Sequence, residues 1–69
     1  MDELTPEILI QELAKWTKDN GEGRNSSDLR FGQYIHNTYE PYGYAEGEDG
    51  YYKEKASEAY EILSKIVEL

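Results

Sequence analysis

The apolar residues of this 69-residue chain fall into three stretches with helical spacing, separated by polar, glycine-rich segments. Before the first stretch, the hydroxyl group of Thr5 can accept a hydrogen bond from a free backbone N–H group. Pro6, which follows it, suits the first helical position. The pattern therefore predicts a helix over residues 6–19, which begins after Thr5 and stops at Asn20 and Gly21. Its apolar face comprises Leu9, Ile10, Leu13, Trp16 and Thr17.

The second stretch predicts a helix over residues 28–39, with Ser26 or Ser27 as its N-cap. One broad apolar face contains Leu29, Gly32, Ile35, His36 and Tyr39, with Phe31 at its margin. Gly32 lies within this face, although glycine costs a helix interior about 1 kcal/mol relative to alanine. Close approach of another helix, with which a Cβ atom would collide, would explain a glycine there.

The third stretch predicts a helix over residues 51–67, capped by Asp49. Its apolar positions recur at intervals of four, three, four and three residues, which is one helix face. These positions are Tyr52, Ala56, Ala59, Leu63 and Ile66. Two of them are alanines, so another helix can approach closely. Pro41 and several glycines favour a loop between the second and third helices.

Together these patterns predict an all-α fold, in which residues 1–69 form one small three-helix domain with two loops of about ten residues. We expect the first and third helices to pack on the central one. A chain of this length buries only about 60% of its unfolded surface, so its stability should be modest. The predicted core consists of Leu9, Leu13, Trp16, Leu29, Phe31, Ile35, Ala56, Ala59, Leu63 and Ile66.

The charge and composition of the chain indicate which binding partners and which cellular compartment to expect. Fifteen acidic residues against seven basic ones give a formal charge of −8, which repels nucleic acid and anionic membranes and favours a basic partner. The longest aliphatic run, Ile8-Leu9-Ile10, is too short to span a membrane. The acidic N-terminus does not resemble a signal peptide, and the absence of cysteine fits a reducing compartment. We therefore expect a cytoplasmic protein that binds neither nucleic acid nor membrane directly.

The chemistry of an enzyme is not evident in the sequence. His36 is the only histidine, there is no cysteine, and no serine lies in a nucleophile-elbow pattern. Gly21-x-Gly23 lacks the remaining residues of a phosphate-binding loop, and the acidic residues between 38 and 50 do not match a calcium loop. We expect no catalytic residue, no metal site and no cofactor.

The central segment Leu29-Arg30-Phe31-Gly32-Gln33, followed by Asn37, resembles a motif in a family of small bacterial and phage proteins of unknown function. In that family a tryptophan-bearing first helix precedes the Arg-Phe-Gly-Gln helix, and an aromatic, acidic segment leads into the last helix. Trp16 corresponds to the first feature, and the segment from Pro41 to Asp49 corresponds loosely to the second. The chain departs from the family at Gly21-Glu22-Gly23-Arg24, where the family has a compact turn. The resemblance implies an all-helical cytoplasmic miniprotein and no particular activity.

Two sets of side chains are candidates for an interaction surface. Arg30, Gln33 and Asn37 are spaced to form a row on the polar side of the second helix. The row can be a solvated polar face, a recognition stripe for a partner, or an internal network that holds the following loop. Tyr39, together with Tyr42 and Tyr44 in that loop, can fold over the core as a lid or form an exposed recognition patch, and of these Tyr42 and Tyr44 are the candidates for the interaction surface.

These features favour a non-enzymatic protein-interaction module of bacterial or phage origin, with an unidentified and basic protein as its partner. The alternative is an acidic mimic of nucleic acid that inhibits a basic DNA- or RNA-binding protein. A third hypothesis is a homodimer, with Ile62, Val67 and Leu69 at the seam. Acidic and lysine residues are interleaved on the first and third predicted helices, which favours the interaction module over the mimic.

Overall fold

The computed structural model describes residues 3–39 and 50–68, and within these ranges the regular secondary structure consists of three α-helices. The all-α, three-helix prediction is confirmed. Helix α1 is Pro6–Asn20, α2 is Phe31–Thr38 and α3 is Ala56–Val67. The bounds of α1 agree with the prediction. Helices α2 and α3 begin later than predicted, so the second connection is longer than the expected ten residues.

Helix α1 starts and stops at the residues that its sequence signals indicate. The Thr5 hydroxyl oxygen accepts a hydrogen bond from the Ile8 backbone N–H at 3.1 Å, and Pro6 occupies the first helical position. At the other end Gly21 has a φ of 65°, and its N–H donates to the Thr17 carbonyl at 2.9 Å. A glycine adopts this left-handed conformation without steric cost, which ends the helix.

Helix α2 begins late because an asparagine organises the residues before it into a turn. The Asn25 side-chain oxygen accepts hydrogen bonds from the backbone N–H groups of Ser27, at 2.9 Å, and Leu29, at 3.0 Å. Asp28 has a φ of 61°, a left-handed conformation that aspartate tolerates better than most residues but that cannot continue a helix. The predicted start at residue 28 and the predicted serine caps are therefore wrong.

The cap of α2 is built around Arg30 instead. Its backbone N–H donates to the Gln33 side-chain oxygen at 2.9 Å, which is one half of a capping box. The reciprocal half is missing because a guanidinium group has only donors and cannot accept from the helix. Gln33 thus satisfies a backbone group at the N-terminus of its own helix.

Helix α3 begins at Ala56 because the first loop, far away in sequence, supplies its cap. The Ala56 backbone N–H donates to the Glu22 carbonyl at 3.1 Å, and the Ser57 hydroxyl donates to the Glu22 carboxylate at 2.6 Å. A carboxylate at this end of a helix also interacts favourably with the helix dipole. Lys55, the local N-cap residue, makes no side-chain capping bond. The prediction that this helix starts at about residue 51 is therefore wrong, and Asp49, its predicted cap, lies outside the described residues.

Three small residues let the backbones of α2, the turn at residues 50–53 and α3 come close together. A Cβ atom added to Gly32 would overlap the Gly50 carbonyl oxygen and lie 3.2 Å from the Tyr51 Cα. On the other side of the turn, a Cβ atom added to Gly50 would lie 3.4 Å from the Ala59 Cα and 3.5 Å from the Ile62 Cβ. The close approach expected at Gly32 is present, but the neighbour is the backbone of this turn rather than a helix.

Helix α3, not α2, is the central element. Its backbone packs against both other helices, whereas those of α1 and α2 approach each other little. Long side chains connect α1 to α2: the Trp16 ring centroid lies 5.5 Å from that of Phe31 and 5.4 Å from that of Tyr34. The prediction that α2 forms the centre is wrong because the alanine face of α3 admits close neighbours on both sides.

Most of the predicted core is confirmed. The buried apolar residues are Leu4, Leu9, Trp16, Phe31, Ile35, Ala56, Ala59 and Leu63. Of the other predicted members, Leu13 and Ile66 pack against this cluster while remaining partly exposed, and Leu29 is half-buried. Phe31 is fully buried instead of lying at the margin of its helix, because α2 begins at that residue. Leu4, which lies before the first helix, was not predicted.

Three residues assigned to apolar faces are in fact exposed, namely Thr17, Ile10 and Tyr52. Tyr52 is 71% exposed, because it lies in the turn before α3 and not on the helix itself. Ile10 on α1 is 53% exposed. Of the proposed dimer-seam residues, Ile62 and Val67 are half-buried within this chain, and Leu69 lies outside the described residues.

We predict that Gly32→Ala destabilises the protein by about 2 kcal/mol, because displacing the Gly50–Tyr51 backbone costs more than the improved helix propensity contributes. Chemical denaturation measures the free energy of unfolding. Gly23→Ala is the matched control, because the added Cβ would meet only the Asn20 carbonyl oxygen, 3.9 Å away. A Gly32→Ala variant as stable as the control would contradict the close approach.

Candidate functional site

A series of ring contacts runs from Arg30, the N-cap residue of α2, to His36, which lies nearly two turns further along the helix. The Arg30 guanidinium carbon lies 5.9 Å from the Tyr52 ring centroid. Tyr52 and Tyr51 meet edge to face with centroids 4.8 Å apart, and Tyr51 meets His36 at 5.6 Å. We call these four residues the aromatic strip.

The charged end of the aromatic strip is fixed by a carboxylate. Arg30 approaches Glu54 Oε1 through Nε at 2.9 Å and through Nη2 at 2.7 Å. Arg24 binds the same carboxylate from the first loop, at 3.0 Å and 3.4 Å, and also contacts Asp28 at 3.2 Å. The Arg30 side chain is only 20% exposed. The guanidinium group is therefore held in place before any partner arrives.

The electrostatics of this cluster follow from two cations around one carboxylate. Hydrogen bonds from Arg30 and then from Arg24 lower the pKa of Glu54 to about 2, against partial desolvation that acts in the opposite direction. The same contacts with Glu54 and Asp28 raise the pKa of Arg24. The Glu54 side chain is 62% exposed, so solvent and salt screen these ion pairs. Their main consequence is the orientation of Arg30.

The structure separates the residues of the predicted polar row. Arg30 precedes the helix and binds Glu54, Gln33 caps the helix, and Asn37 is exposed. Two of the three thus make contacts within the chain, whereas the residues of the following loop, which such a network would hold, lie outside the described residues. Tyr42 and Tyr44, the remaining candidates for the interaction surface, lie outside the described residues.

A second feature is a cleft of about 220 Å³ between the second half of α1, the first loop and α2. The rings of Trp16 and Tyr34 form its apolar side, and the carboxylates of Glu12 and Asp19 and the ammonium group of Lys15 lie around it. Trp16 Nε1 donates to the Gly23 carbonyl at 3.1 Å, which fixes the ring against the first loop.

Glu12 connects α1 to α2 through two tyrosines. Its Oε2 atom accepts hydrogen bonds from the hydroxyl groups of Tyr34, at 3.1 Å, and Tyr39, at 2.6 Å. Partial burial and then the negative charge of Glu12 raise the pKa of the Tyr34 hydroxyl. The cleft therefore has a carboxylate whose position is fixed by two donors.

Within residues 3–39 and 50–68, no group of His, Asp and Glu side chains could hold a metal ion. In the same part of the chain, no helix has the length and apolar character needed to cross a membrane. Comparisons with protein-family models, with curated proteins and with solved structures found no match to this chain.

The sequence did not reveal the residues on which the aromatic strip and the cleft depend. Glu54 lies between two lysines and gives no periodic signal, and its ligands Arg24 and Arg30 are distant in sequence. Glu12 lies outside the apolar face predicted for the first helix, and nothing in its neighbourhood indicates that two tyrosines reach it. Tyr52 followed the helical spacing of α3, which concealed its position in a turn.

We predict that Glu54 titrates with a pKa of about 2 and that Arg30→Met moves this pKa towards 4.5, with a smaller increase in Arg24→Met. Because the folded-state pKa is lowered, the cluster stabilises the protein above the unfolded-state pKa, and this contribution is lost as the pH falls from about 5 to about 2. Carboxyl ¹³C chemical shifts followed by NMR give the titration curve.

Lys65→Met is the control, because it removes one cation from the last turn of α3 rather than from the cluster. It should leave the titration of Glu54 unchanged. A Glu54 carboxyl that titrates near 4.5 in the unsubstituted protein would contradict the Arg30 contact.

Proposed function

We propose that this chain is a small, non-enzymatic protein-interaction module whose contact surface is centred on Tyr52. The observation that carries the proposal is a large ring, 71% exposed, held against an ordered guanidinium group. Tyrosine and arginine are enriched at the energetic centres of protein interfaces. A monomer gains little stability from a ring left this exposed, so a binding role is a better explanation than a packing role.

Preorganisation strengthens this assignment. Binding orders side chains at an entropic cost, which is smaller when they are already held. Arg30 is held by Glu54, and the Tyr52 ring is flanked by Arg30 on one side and Tyr51 on the other. Asn37, on the same helix as His36, is exposed and can extend the surface with a donor and an acceptor. Tyr42 and Tyr44 remain candidates for the same surface.

The described acidic residues give less support to a mimic of nucleic acid. A mimic needs carboxylates that are available to a basic partner. Four of the acidic residues instead accept hydrogen bonds within the chain, namely Glu12, Glu22, Asp28 and Glu54. The resemblance of the segment from Leu29 to Gln33 to small bacterial and phage proteins favours a bacterial or phage origin, and hence a cytoplasmic partner from such a cell.

We predict that Tyr52→Ala weakens binding to the principal partner by at least about tenfold, as expected for a residue at the centre of an interface. The partner is first captured from bacterial lysate at low and high salt and identified by mass spectrometry. Its Kd is then measured by titration with the purified protein and with each variant. Tyr52→Phe, which keeps the ring, should bind within about threefold of the original protein.

Ile10→Ala is the matched control, since it truncates the second large apolar side chain that is exposed among the described residues, and this side chain lies on α1. It should leave the Kd unchanged. The proposal fails if Tyr52→Ala binds the partner as tightly as Ile10→Ala does. A basic nucleic-acid-binding partner that is lost at high salt and is indifferent to Tyr52→Ala would support the acidic mimic instead.

A further inference from the structure

We infer that the cleft between α1 and α2 binds a guanidinium group, the side chain of an arginine on a protein partner. This site is separate from the aromatic strip, and the inference does not depend on the function proposed for Tyr52. It rests on an aromatic wall, a carboxylate near each end of that wall, and a volume suited to one side chain.

The wall is formed by Trp16 and Tyr34. Their ring centroids lie 5.4 Å apart with the planes tilted by 35°. Trp16 is only 5% exposed, so the half-buried Tyr34 provides most of the accessible aromatic surface, and Trp16 supports it from behind. Aromatic faces attract cations, and the planar guanidinium group is more weakly hydrated than an ammonium group and stacks on such rings. The wall therefore favours arginine over lysine.

The carboxylates stand on either side of Trp16 along α1. Glu12 and Asp19 are separated by about two helical turns, or roughly 10 Å, and so lie on the same side of the helix. Both hydrogen bonds that Glu12 accepts from tyrosines end on Oε2, and no described residue donates to its Oε1. A cation on the aromatic wall can thus approach a carboxylate at either end.

One positive charge opposes this arrangement. Lys15 also lines the cleft, so its ammonium group repels a bound guanidinium. The two carboxylates outweigh it locally, and the overall charge of −8 adds to the attraction. Removing the charge of Lys15, compared with removing the charge of a lysine outside the cleft, therefore distinguishes binding in the cleft from a general attraction of cations to the protein.

The volume of the cleft limits the kind of group that can bind in it. The cleft, at about 220 Å³, is smaller than the roughly 300–1,000 Å³ typical of sites for drug-sized ligands and cofactors. It is large enough for the end of one long side chain. We therefore assign it to an arginine that projects from a partner rather than to a free metabolite.

The experiment uses Trp16, the only tryptophan, as the reporter. The full chain is titrated with the peptide acetyl-Gly-Arg-Gly-amide while tryptophan fluorescence is recorded. We expect a saturable change with a Kd on the order of 1 mM, since a single side chain supplies few contacts. The citrulline peptide, which has the same shape without the charge, should give no saturable change, and the lysine peptide should bind at least about threefold more weakly.

Charge-removing variants locate the site. Glu12→Gln and Asp19→Asn should each raise the Kd of the arginine peptide by about fivefold or more. The amide oxygen of Glu12→Gln can still accept hydrogen bonds from the two tyrosines. Lys15→Gln should lower the Kd of this peptide. Glu61→Gln and Lys65→Gln on α3 change the net charge by the same amounts and should alter the Kd by less than about twofold. Circular dichroism identifies any variant that does not fold, and Asp19→Asn remains decisive if Glu12→Gln fails to fold.

Three results would overturn the inference. The first is the absence of a saturable fluorescence change with the arginine peptide. The second is equal binding of the citrulline or the lysine peptide, which would remove the assignment to guanidinium. The third is an effect of Glu61→Gln as large as that of Asp19→Asn, which would show attraction to the net charge rather than binding in the cleft.

Discussion

The contact between Gly32 and the peptide joining Gly50 to Tyr51 determines how the rest of the molecule is arranged. A side chain at residue 32 would overlap the Gly50 carbonyl group. The turn can therefore reach α2 only because Gly32 has no side chain. The other side of the turn rests on Ala59 of α3, where a second small residue admits it. Two helices and a turn are thus packed through their backbones, with few side-chain atoms between them. Such packing tolerates little change in volume.

The first loop also joins elements that are distant in sequence. Glu22 supplies the backbone and side-chain acceptors for the start of α3, Gly23 accepts from Trp16, and Arg24 binds Glu54. Each bond joins residues far apart in sequence or in different elements, so the loop is a structural element in its own right. It also leaves Arg30 oriented beside Tyr52. The aromatic strip, with Tyr52 as its exposed member, is therefore a consequence of the same contacts that stabilise the fold.

The sequence predicted what depends on local signals. Helical periodicity predicted three helices, and Thr5, Pro6 and Gly21 predicted the ends of α1, because caps and stops act over a few residues. It failed at the starts of α2 and α3, where an asparagine-centred turn and a distant carboxylate replace the local caps. For the same reason it placed Tyr52 on the apolar face of the third helix, where the structure has an exposed turn residue. Of the candidate site, Arg30 was identified from the polar row, whereas Glu54, Glu12 and the exposure of Tyr52 depend on tertiary contacts that have no periodic signature.

The contact on which this arrangement depends can be observed directly in the unmodified protein. Nuclear Overhauser effects between the Hα protons of Gly32 and those of Gly50 and Tyr51 report on the separation of the two backbones. The close approach predicts strong cross-peaks between these protons, together with cross-peaks from Gly50 to the Ala59 methyl group. Assigned spectra in which Gly32 shows effects only to residues of its own helix would contradict the account of how α2, the turn and α3 pack, and with it the placement of Tyr52 beside Arg30.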